Sequence, residues 1–201
     1  MTLDATATEA RPAHHAKRLL RWRDRRRERE ILARRDRIGA QMAELRYIQD
    51  LIAAAQKVVA SGWVRGGWFV VLDGSGRKRT VNAYDARYMN GWPIVGGCLV
   101  GAIVHAGGGL AAAEEQPVRR ALELTWHTLC GHAEDPIRWC PAPDARAAHV
   151  RDLTRWNDDA GRTADEVIAL LRSVWQAAAE ERTRLRAVGA ETGGPSEASL
   201  A

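Results

Sequence analysis

Apolar residues recur at seven-residue intervals through the first third of the chain, at Ile31, Ile38, Leu45, Ile52 and Val59. This spacing is typical of one face of an amphipathic helix. The sequence from residue 14 to residue 60 contains no proline and one glycine. The pattern therefore predicts one long helix, or two helices that join near that glycine.

A second row of positions on the same helix changes character along its length. It is polar at Arg34 and Gln41 and apolar at Ile48 and Ala55. A helix forms a continuous contact with a partner only where both rows are apolar. We therefore expect the helix to pack on the rest of the chain from about Gln41 onward and to be increasingly free before it.

The middle of the chain carries the pattern of a β-hairpin. Two short runs rich in β-branched and aromatic residues lie between Gly67 and Val81, and they flank a turn at residues 73–76. The apolar stretch at residues 94–106 then predicts a buried helix. Three consecutive glycines, at residues 107–109, are expected to end it.

Three further helices are predicted in the second half, at residues 116–129, at about residues 144–156, and from Thr163 onward. The last has the clearest start, because Thr163 and Glu166 have the spacing of a capping box. The segment at residues 131–143 contains three prolines and predicts a loop. The fold class is therefore mainly α with a small β-hairpin, as a compact helical domain preceded by a long basic helix.

This pattern divides the chain into four parts. Residues 1–13 and 189–201 are small and polar, and we expect both ends to be disordered. Residues 14–40 form a basic helical extension. Residues 41–188 form the helical domain, with the hairpin near residues 67–81.

Positive charge is concentrated in the basic extension. The whole chain carries a formal charge of +5, but residues 17–37 contain eleven Lys or Arg and four Asp or Glu, a local charge of +7. Arginine grips phosphate with two nitrogens and stacks on bases, so this charge favours contact with nucleic acid or another polyanion. The candidate residues are Lys17, Arg18, Arg21, Arg23, Arg25, Arg26, Arg27, Arg29, Arg34, Arg35 and Arg37.

Two other interpretations of the basic helix remain open. It could be a solvated helix held by pairs such as Glu30 with Arg34, or it could meet a membrane surface or an acidic protein. The seam from Ile31 to Val59 could also pair with its copy in a second chain and give a homodimer.

Four residues in the second half suggest a possible metal site, namely His127, Cys130, His132 and Cys140. Zinc accepts such a set of imidazoles and thiolates. Their spacing matches no standard zinc finger, and cysteine is often simply a small buried residue. The sequence contains three cysteines in all, an odd number without the spacing of a disulfide framework, so we expect them to be reduced.

Two short segments carry a resemblance to a known family. They are the Cys98-Leu-Val-Gly101-Ala102 segment and the segment from Trp156 to Val167, which begins Trp-Asn-Asp-Asp-Ala-Gly-Arg-Thr. Together with Gly62 and Trp63 they resemble small bacterial proteins of high-GC genomes that form a domain of unknown function. The resemblance covers about residues 43–178 and implies a fold without an activity. The basic extension and the loop at residues 130–143 depart from the usual short form of that family.

The second of these segments predicts a structural role for each of its residues. We expect Trp156 to close one helix against the core, Asn157 to end it in a left-handed conformation, and Gly161 to turn the chain. Thr163 then caps the next helix. Asp158 and Asp159 are expected to have a local structural role at the same junction, although their carboxylates could also bind a metal or act as an acid or base.

No motif in the sequence points to a named reaction or to a cofactor. The glycine clusters at residues 74–76 and 107–109 are not phosphate loops, since neither is followed by the Lys-Ser or Lys-Thr pair that such a loop requires. We expect no signal peptide and no transmembrane helix, and therefore the cytoplasm. The leading hypothesis is a non-enzymatic protein that contacts nucleic acid through its basic helix without reading sequence. Oligomerisation through the 31–59 seam and a metal-dependent protein are the alternatives.

Overall fold

The computed structural model describes residues 10–88, 91–131, 137, 139–140 and 142–191, with side chains from residue 21 to residue 190. The chain divides into two compact units. Unit 1 comprises residues 1–41 and 185–201, and unit 2 comprises residues 42–184. Of the segments predicted to be disordered, residues 1–9 and 192–201 lie outside the described part of the chain.

The described chain is mainly helical with one small sheet, which confirms the predicted fold class. Its helices are α1 (Ala10–Ser61), α2 (Ala83–Ala86), α3 (Leu99–Ala106), α4 (Gln116–Leu129), α5 (Pro143–Asp158) and α6 (Ala164–Glu191), with a 3-10 helix at Leu110–Glu114. The strands are β1 (Phe69–Leu72), β2 (Lys78–Val81) and β3 (Ile94–Gly97). Among these described helices, none has the length and apolar character needed to cross a membrane.

Helix α1 runs unbroken through its one internal glycine, and its apolar seam becomes buried along its length. Ile31 is 49% exposed, whereas Leu45, Ile52 and Val59 are buried in unit 2. The second row, Ile48 and Ala55, is buried there as well. The increase in burial along α1 agrees with the prediction from the second row of positions, which changes from polar at Arg34 and Gln41 to apolar at Ile48 and Ala55.

Within unit 1, the seam meets the end of α6. Ile38 is buried, and a Cβ added at Gly189 would lie 3.7 Å from its Cγ2 atom. The seam residues from Ile38 onward are thus used inside the chain. A homodimer built on the predicted seam would have only Ile31 and its neighbour Leu32, both about half exposed, available for a second copy.

The sheet contains the predicted hairpin and one strand that the sequence did not predict. Strand β1 lies in the centre and pairs antiparallel with both β2 and β3. In the hairpin, Phe69 is opposite Val81, and the turn closes with Gly76 at a φ of 78°. Residues 94–97 form β3, so the helix predicted over residues 94–106 is wrong for its first part and begins only at Leu99.

Close backbone contact explains this correction. The amide of Gly97 donates to the carbonyl of Gly62 at 2.8 Å, and a Cβ on Gly96 would lie 1.9 Å from that same oxygen. Because neither Gly96 nor Gly62 has a side chain, β3 can lie directly against the residue that follows α1. The contact is between residues more than thirty positions apart, which a local apolar pattern cannot show.

Helix α3 is buried from Leu99 to Val104 and packs against α4, α5 and the 3-10 helix. Helix α4 has the predicted bounds, and α5 extends beyond its predicted ends by one residue at the start and two at the end. The predicted capping box begins α6: the amide of Glu166 donates to Thr163 Oγ1 at 3.3 Å, and the amide of Thr163 donates to Glu166 Oε2 at 2.8 Å.

Candidate functional site

The basic extension presents its described side chains to solvent. Every residue from 21 to 37 is exposed. Within this stretch the structure gives one ion pair, between Arg26 Nε and Glu30 Oε1 at 2.8 Å, and Arg26 also lies over the ring of Trp22 at 5.7 Å. Glu30 thus pairs with the arginine four residues before it, whereas the sequence suggested Arg34. The side chains of Lys17 and Arg18 lie outside the described part.

The distribution of charge around α1 is uneven. An α-helix turns by about 100° per residue, so Arg23, Arg27 and Arg34 point in directions within about 40° of one another. Adding Arg26 and Arg37 gives a sector of about 100° with five arginines, which extends about 21 Å along the axis. We call these five residues the arginine face. Within residues 21–37 it contains a single acid, which Arg26 already neutralises.

The opposite side of this segment is nearly neutral. It carries Arg21, Arg25, Arg29 and Arg35, and the acids Asp24, Glu28 and Asp36 lie among them. Four arginines with three acids leave a net charge of about +1, whereas the arginine face retains +4. The sequence showed the amount of charge, and the helical geometry shows where it is concentrated.

A second group of chemically active side chains lies where α4 packs on α5. Glu123 is buried, and its Oε1 atom lies 3.8 Å from Nε2 of His127, one helical turn along α4. From α5, the ring of His149 stacks on Trp126 at 3.7 Å, and Asp152 accepts a hydrogen bond from the Trp126 indole at 3.3 Å. Burial lowers the pKa of His149, so this ring is neutral at neutral pH.

Two of the four candidate metal ligands lie beside this group. His127 faces Glu123, and the backbone amide of Cys140 donates a hydrogen bond to the same carboxylate. Cys130 is exposed at the end of α4, and His132 lies outside the described residues. In the part of the chain that the structure describes, no three His, Cys, Asp or Glu side chains are placed to hold a metal ion together.

Two neighbouring clefts open beside Glu123, with volumes of about 350 and 340 Å³. They share Arg119, Glu123 and Arg146 in their walls. Arg119 is already paired with Glu114, and Arg120 with Glu44. These two ion pairs neutralise the charges of Arg119 and Arg120. The sequence offered a weak signal for this group in the spacing of four between Glu123 and His127, but nothing that joined it to α5.

Cys98 begins α3 as its N-cap. Its Sγ accepts from the amide of Gly101 at 3.3 Å, and its own amide donates to the carbonyl of Trp68 at 3.0 Å. Burial raises the pKa of the Cys98 thiol to about 11. A thiol that stays protonated at neutral pH is a poor nucleophile, so Cys98 has a structural role.

This burial leads to a prediction about thiol labelling. With Ellman's reagent or iodoacetamide at pH 8, we expect the exposed Cys130 to react first and Cys98 to react only after denaturation, because Cys98 is both inaccessible and protonated. The three cysteines lie in different tryptic peptides, so mass spectrometry measures each rate separately. Labelling of Cys98 in the native protein at the rate of Cys130 would contradict the structure.

The Trp-Asn-Asp segment is a structural junction built around Asn157, whose side chain is completely buried. Its Oδ1 atom accepts from the Trp63 indole and from the amide of Leu99, both at 3.0 Å. Its Nδ2 atom donates to the carbonyl of Val64 at 3.1 Å and to Asp158 Oδ1 at 2.8 Å. One side chain thus connects α5, the segment after α1 and the start of α3.

The left-handed conformation predicted for Asn157 is wrong. The residue lies inside α5, which continues to Asp158, and in the described ranges no residue other than glycine has a positive φ. Its side chain is committed to buried partners, so the chain leaves the helix two residues later instead. Gly161 does lie in the turn that follows, where its amide donates to Asp159 Oδ1 at 2.9 Å.

The neighbours of Asn157 strengthen the junction. Asp158 Oδ1 also accepts from the amide of Gly66 at 3.0 Å. The guanidinium of Arg162 lies over the ring of Trp156 at 3.9 Å and donates to the Trp156 carbonyl at 3.1 Å. These hydrogen bonds hold the end of α5, the segment after α1 and the start of α3 together.

These features define a helical protein with a buried polar junction and a basic extension. The chain belongs to the family of unknown function DUF6197, whose model matches residues 42–180. The match includes the Cys98 and Trp156 segments and leaves the arginine face outside it. Comparison with curated proteins and with solved structures returned no match.

Proposed function

We propose that this protein binds nucleic acid through the phosphate backbone, with the arginine face of α1 as the contact surface and without recognition of base sequence. The observation that carries the proposal is the exposure of this face. Of its five guanidinium groups, Arg26 alone is engaged with a carboxylate in the described part of α1. The remaining four, Arg23, Arg27, Arg34 and Arg37, are available for phosphate oxygens.

The chemistry of the side chain supports this partner. Guanidinium presents several donors in a plane that match two phosphate oxygens at once, and it loses little hydration on binding. A helix about 21 Å long can follow several successive phosphates, and each contact releases counterions. Binding of this kind depends strongly on salt and little on sequence.

We place this activity in the cytoplasm. All three cysteines are free thiols in the structure, and reducing compartments keep thiols in that state.

An acidic protein or an anionic membrane is a competing partner for the charge of the arginine face. Binding measurements with a DNA duplex distinguish these partners from nucleic acid.

Substitution of the arginine face provides the test. We expect the full-length Arg23→Gln/Arg27→Gln/Arg34→Gln protein to bind a 20-base-pair duplex at least about tenfold more weakly at low salt. The slope of log K against log salt should fall in magnitude by about 2.7, since each phosphate contact contributes about 0.9. Fluorescence anisotropy over a range of salt concentrations measures both quantities.

The opposite side of the same helix supplies the matched control. Arg21→Gln/Arg25→Gln/Arg35→Gln removes the same charge from the same segment, and we expect less than half of the change in slope. Equal losses in the two variants would refute the arginine face as the contact surface. Unchanged binding in both would refute the basic extension as the binding site.

A further inference from the structure

Two tyrosine rings stand exposed beside the hairpin in unit 2. Tyr84 is 65% exposed and Tyr88 is 71% exposed, the highest values among the large hydrophobic side chains that the structure describes as exposed. Their ring centroids are 5.3 Å apart at an angle of 64°, and the Tyr88 hydroxyl donates to the Tyr84 hydroxyl at 3.3 Å. The rings pack edge to face, and both side chains are largely exposed to solvent.

The backbone holds this pair in a defined position. Asn82 caps α2, since its Oδ1 atom accepts from the amide of Asp85 at 2.8 Å. The amide of Tyr88 donates to the carbonyl of Asp85 at 3.0 Å, and the amide of Arg87 donates to the carbonyl of Tyr84 at 3.2 Å. Two exposed rings on an ordered turn can bind a flat partner with little loss of conformational entropy.

Positive charge accompanies the tyrosines. Lys78 and Arg79 are exposed on β2, which is an edge strand of the sheet, and Arg77 and Arg87 are exposed nearby in sequence. Residues 77–88 contain these four cations and a single acid, Asp85, and Arg77 is paired with Asp73 of the turn, with its Nε atom 3.8 Å from Oδ2. Tyr84 is five positions after Arg79 in the sequence, so their Cα atoms lie at most about 18 Å apart. We call Lys78, Arg79, Tyr84, Arg87 and Tyr88 the aromatic-basic patch.

The hairpin turn is also firmly held. Asp73 Oδ1 accepts from the amide of Ser75 at 2.9 Å and from the amide of Arg77 at 3.0 Å. The pKa of Asp73 is lowered, mainly by the hydrogen bond that its carboxylate accepts from the Ser75 hydroxyl. The carboxylate therefore remains charged and hydrogen-bonded at neutral pH. The cations of β2 therefore follow a rigid turn.

We propose that the aromatic-basic patch binds single-stranded nucleic acid, with bases stacked on Tyr84 and Tyr88 and phosphates bound by the surrounding cations. Aromatic rings combined with positive charge are the usual means of binding single strands without sequence preference. Bases inside a duplex are stacked on one another and offer no free face to a tyrosine. The combination therefore selects a single strand over a duplex.

Protection of the sheet edge explains only part of this surface. Lysine and arginine on an edge strand prevent it from pairing with another chain, which accounts for Lys78 and Arg79. It does not account for two adjacent exposed rings on the helical turn that follows. The inference uses residues of unit 2 alone, so it does not depend on the arginine face.

Removal of the rings without loss of charge tests the proposal. In the full-length protein, we expect Tyr84→Ala/Tyr88→Ala to weaken binding of fluorescein-labelled dT12 at least about tenfold, since each stacked base contributes appreciably. Binding of U12 should fall in parallel, whereas binding of a 12-base-pair duplex should change less than about twofold. The matched control, Tyr84→Phe/Tyr88→Phe, keeps the rings and should bind dT12 within about twofold of wild type. Circular dichroism checks that each variant is folded.

Three results would overturn the inference. They are unchanged dT12 binding in the alanine variant, an equal loss for duplex and single strand, and an equal loss in the phenylalanine variant. Loss of binding to phosphatidylserine vesicles, with dT12 binding intact, would assign the patch to a membrane surface instead.

The same assay separates this inference from the proposed function. If Arg23→Gln/Arg27→Gln/Arg34→Gln leaves duplex binding unchanged while the tyrosine variant loses dT12, the arginine face fails and the patch stands. The reverse pattern supports the arginine face and overturns the patch.

Discussion

Gly101→Ala is expected to destabilise the protein by about 3 kcal/mol, although it adds only one methyl group. A Cβ at this position would lie 1.9 Å from the carbonyl oxygen of Trp68 and 2.7 Å from its carbon. Both are backbone atoms, so no rotamer change relieves the overlap. Helix α3 is buried on all sides and is bonded to the same carbonyl through the amide of Cys98, so it cannot move away. A urea titration followed by circular dichroism measures the change.

Gly39→Ala is the matched control, since it makes the same substitution inside a helix. A Cβ at Gly39 would meet nothing within 4 Å, and the residue is exposed. Alanine is favoured over glycine in a helix by about 1 kcal/mol, so we expect this variant to be as stable as wild type or more stable. A Gly101→Ala protein that unfolds at the urea concentration of wild type would show that α3 does not lie against Trp68 as described.

The sequence predicts the long elements of this fold well, because their apolar rows are periodic. The seam of α1 and the capping box at Thr163 depend on neighbours within one or two helical turns, so their structural outcome is local. The gradual burial of α1 is also visible in the change from Arg34 to Ile48. Such features need no knowledge of distant residues.

The errors lie where distant segments decide the structure. Residues 94–97 are apolar enough for a helix, yet the contact of Gly96 with Gly62 makes them a strand. Asn157 has a side chain that often ends a helix, but here the buried partners Trp63 and Leu99 keep it inside one. In both cases a tertiary contact overrides a local preference.

The candidate sites show the same distinction. The charge of the arginine face can be counted in the sequence, and its direction follows from the period of the helix. The group around Glu123 cannot be predicted this way, because His149 comes from another helix. For the aromatic-basic patch, the sequence shows that Tyr84 and Tyr88 are four residues apart. It does not show that both rings are exposed, which the structure adds.

Substitution of Asn157 should have an effect at least as large as that at Gly101. Asn157→Ala leaves the Trp63 indole, the Leu99 amide and the Val64 carbonyl without their buried partner. Each unsatisfied group costs about 1–3 kcal/mol, so we expect a total loss of about 3–5 kcal/mol in urea titrations. The exposed Asn82→Ala, which removes one helix cap, should cost about 1 kcal/mol. Losses of similar size at the two positions would show that the junction does not support the core.

The pH dependence of the stability of an Asn157→Asp variant tests which way the buried side-chain amide of Asn157 is oriented. The introduced carboxyl keeps the accepting oxygen but replaces the donor that lies 3.1 Å from the Val64 carbonyl and 2.8 Å from Asp158 Oδ1. As a carboxylate it would face two other oxygens in a buried site, so its pKa in the folded protein must rise above the ordinary value of about 3.9. A raised pKa stabilises the fold at low pH, and this stability is lost as pH rises through the folded value. We therefore expect the loss of stability caused by Asn157→Asp, relative to wild type, to become smaller as the pH falls from about 7 to about 5. The loss caused by Asn157→Ala should stay constant over the same range. A loss for Asn157→Asp that does not change with pH would mean that the amide nitrogen of Asn157 does not face these oxygens.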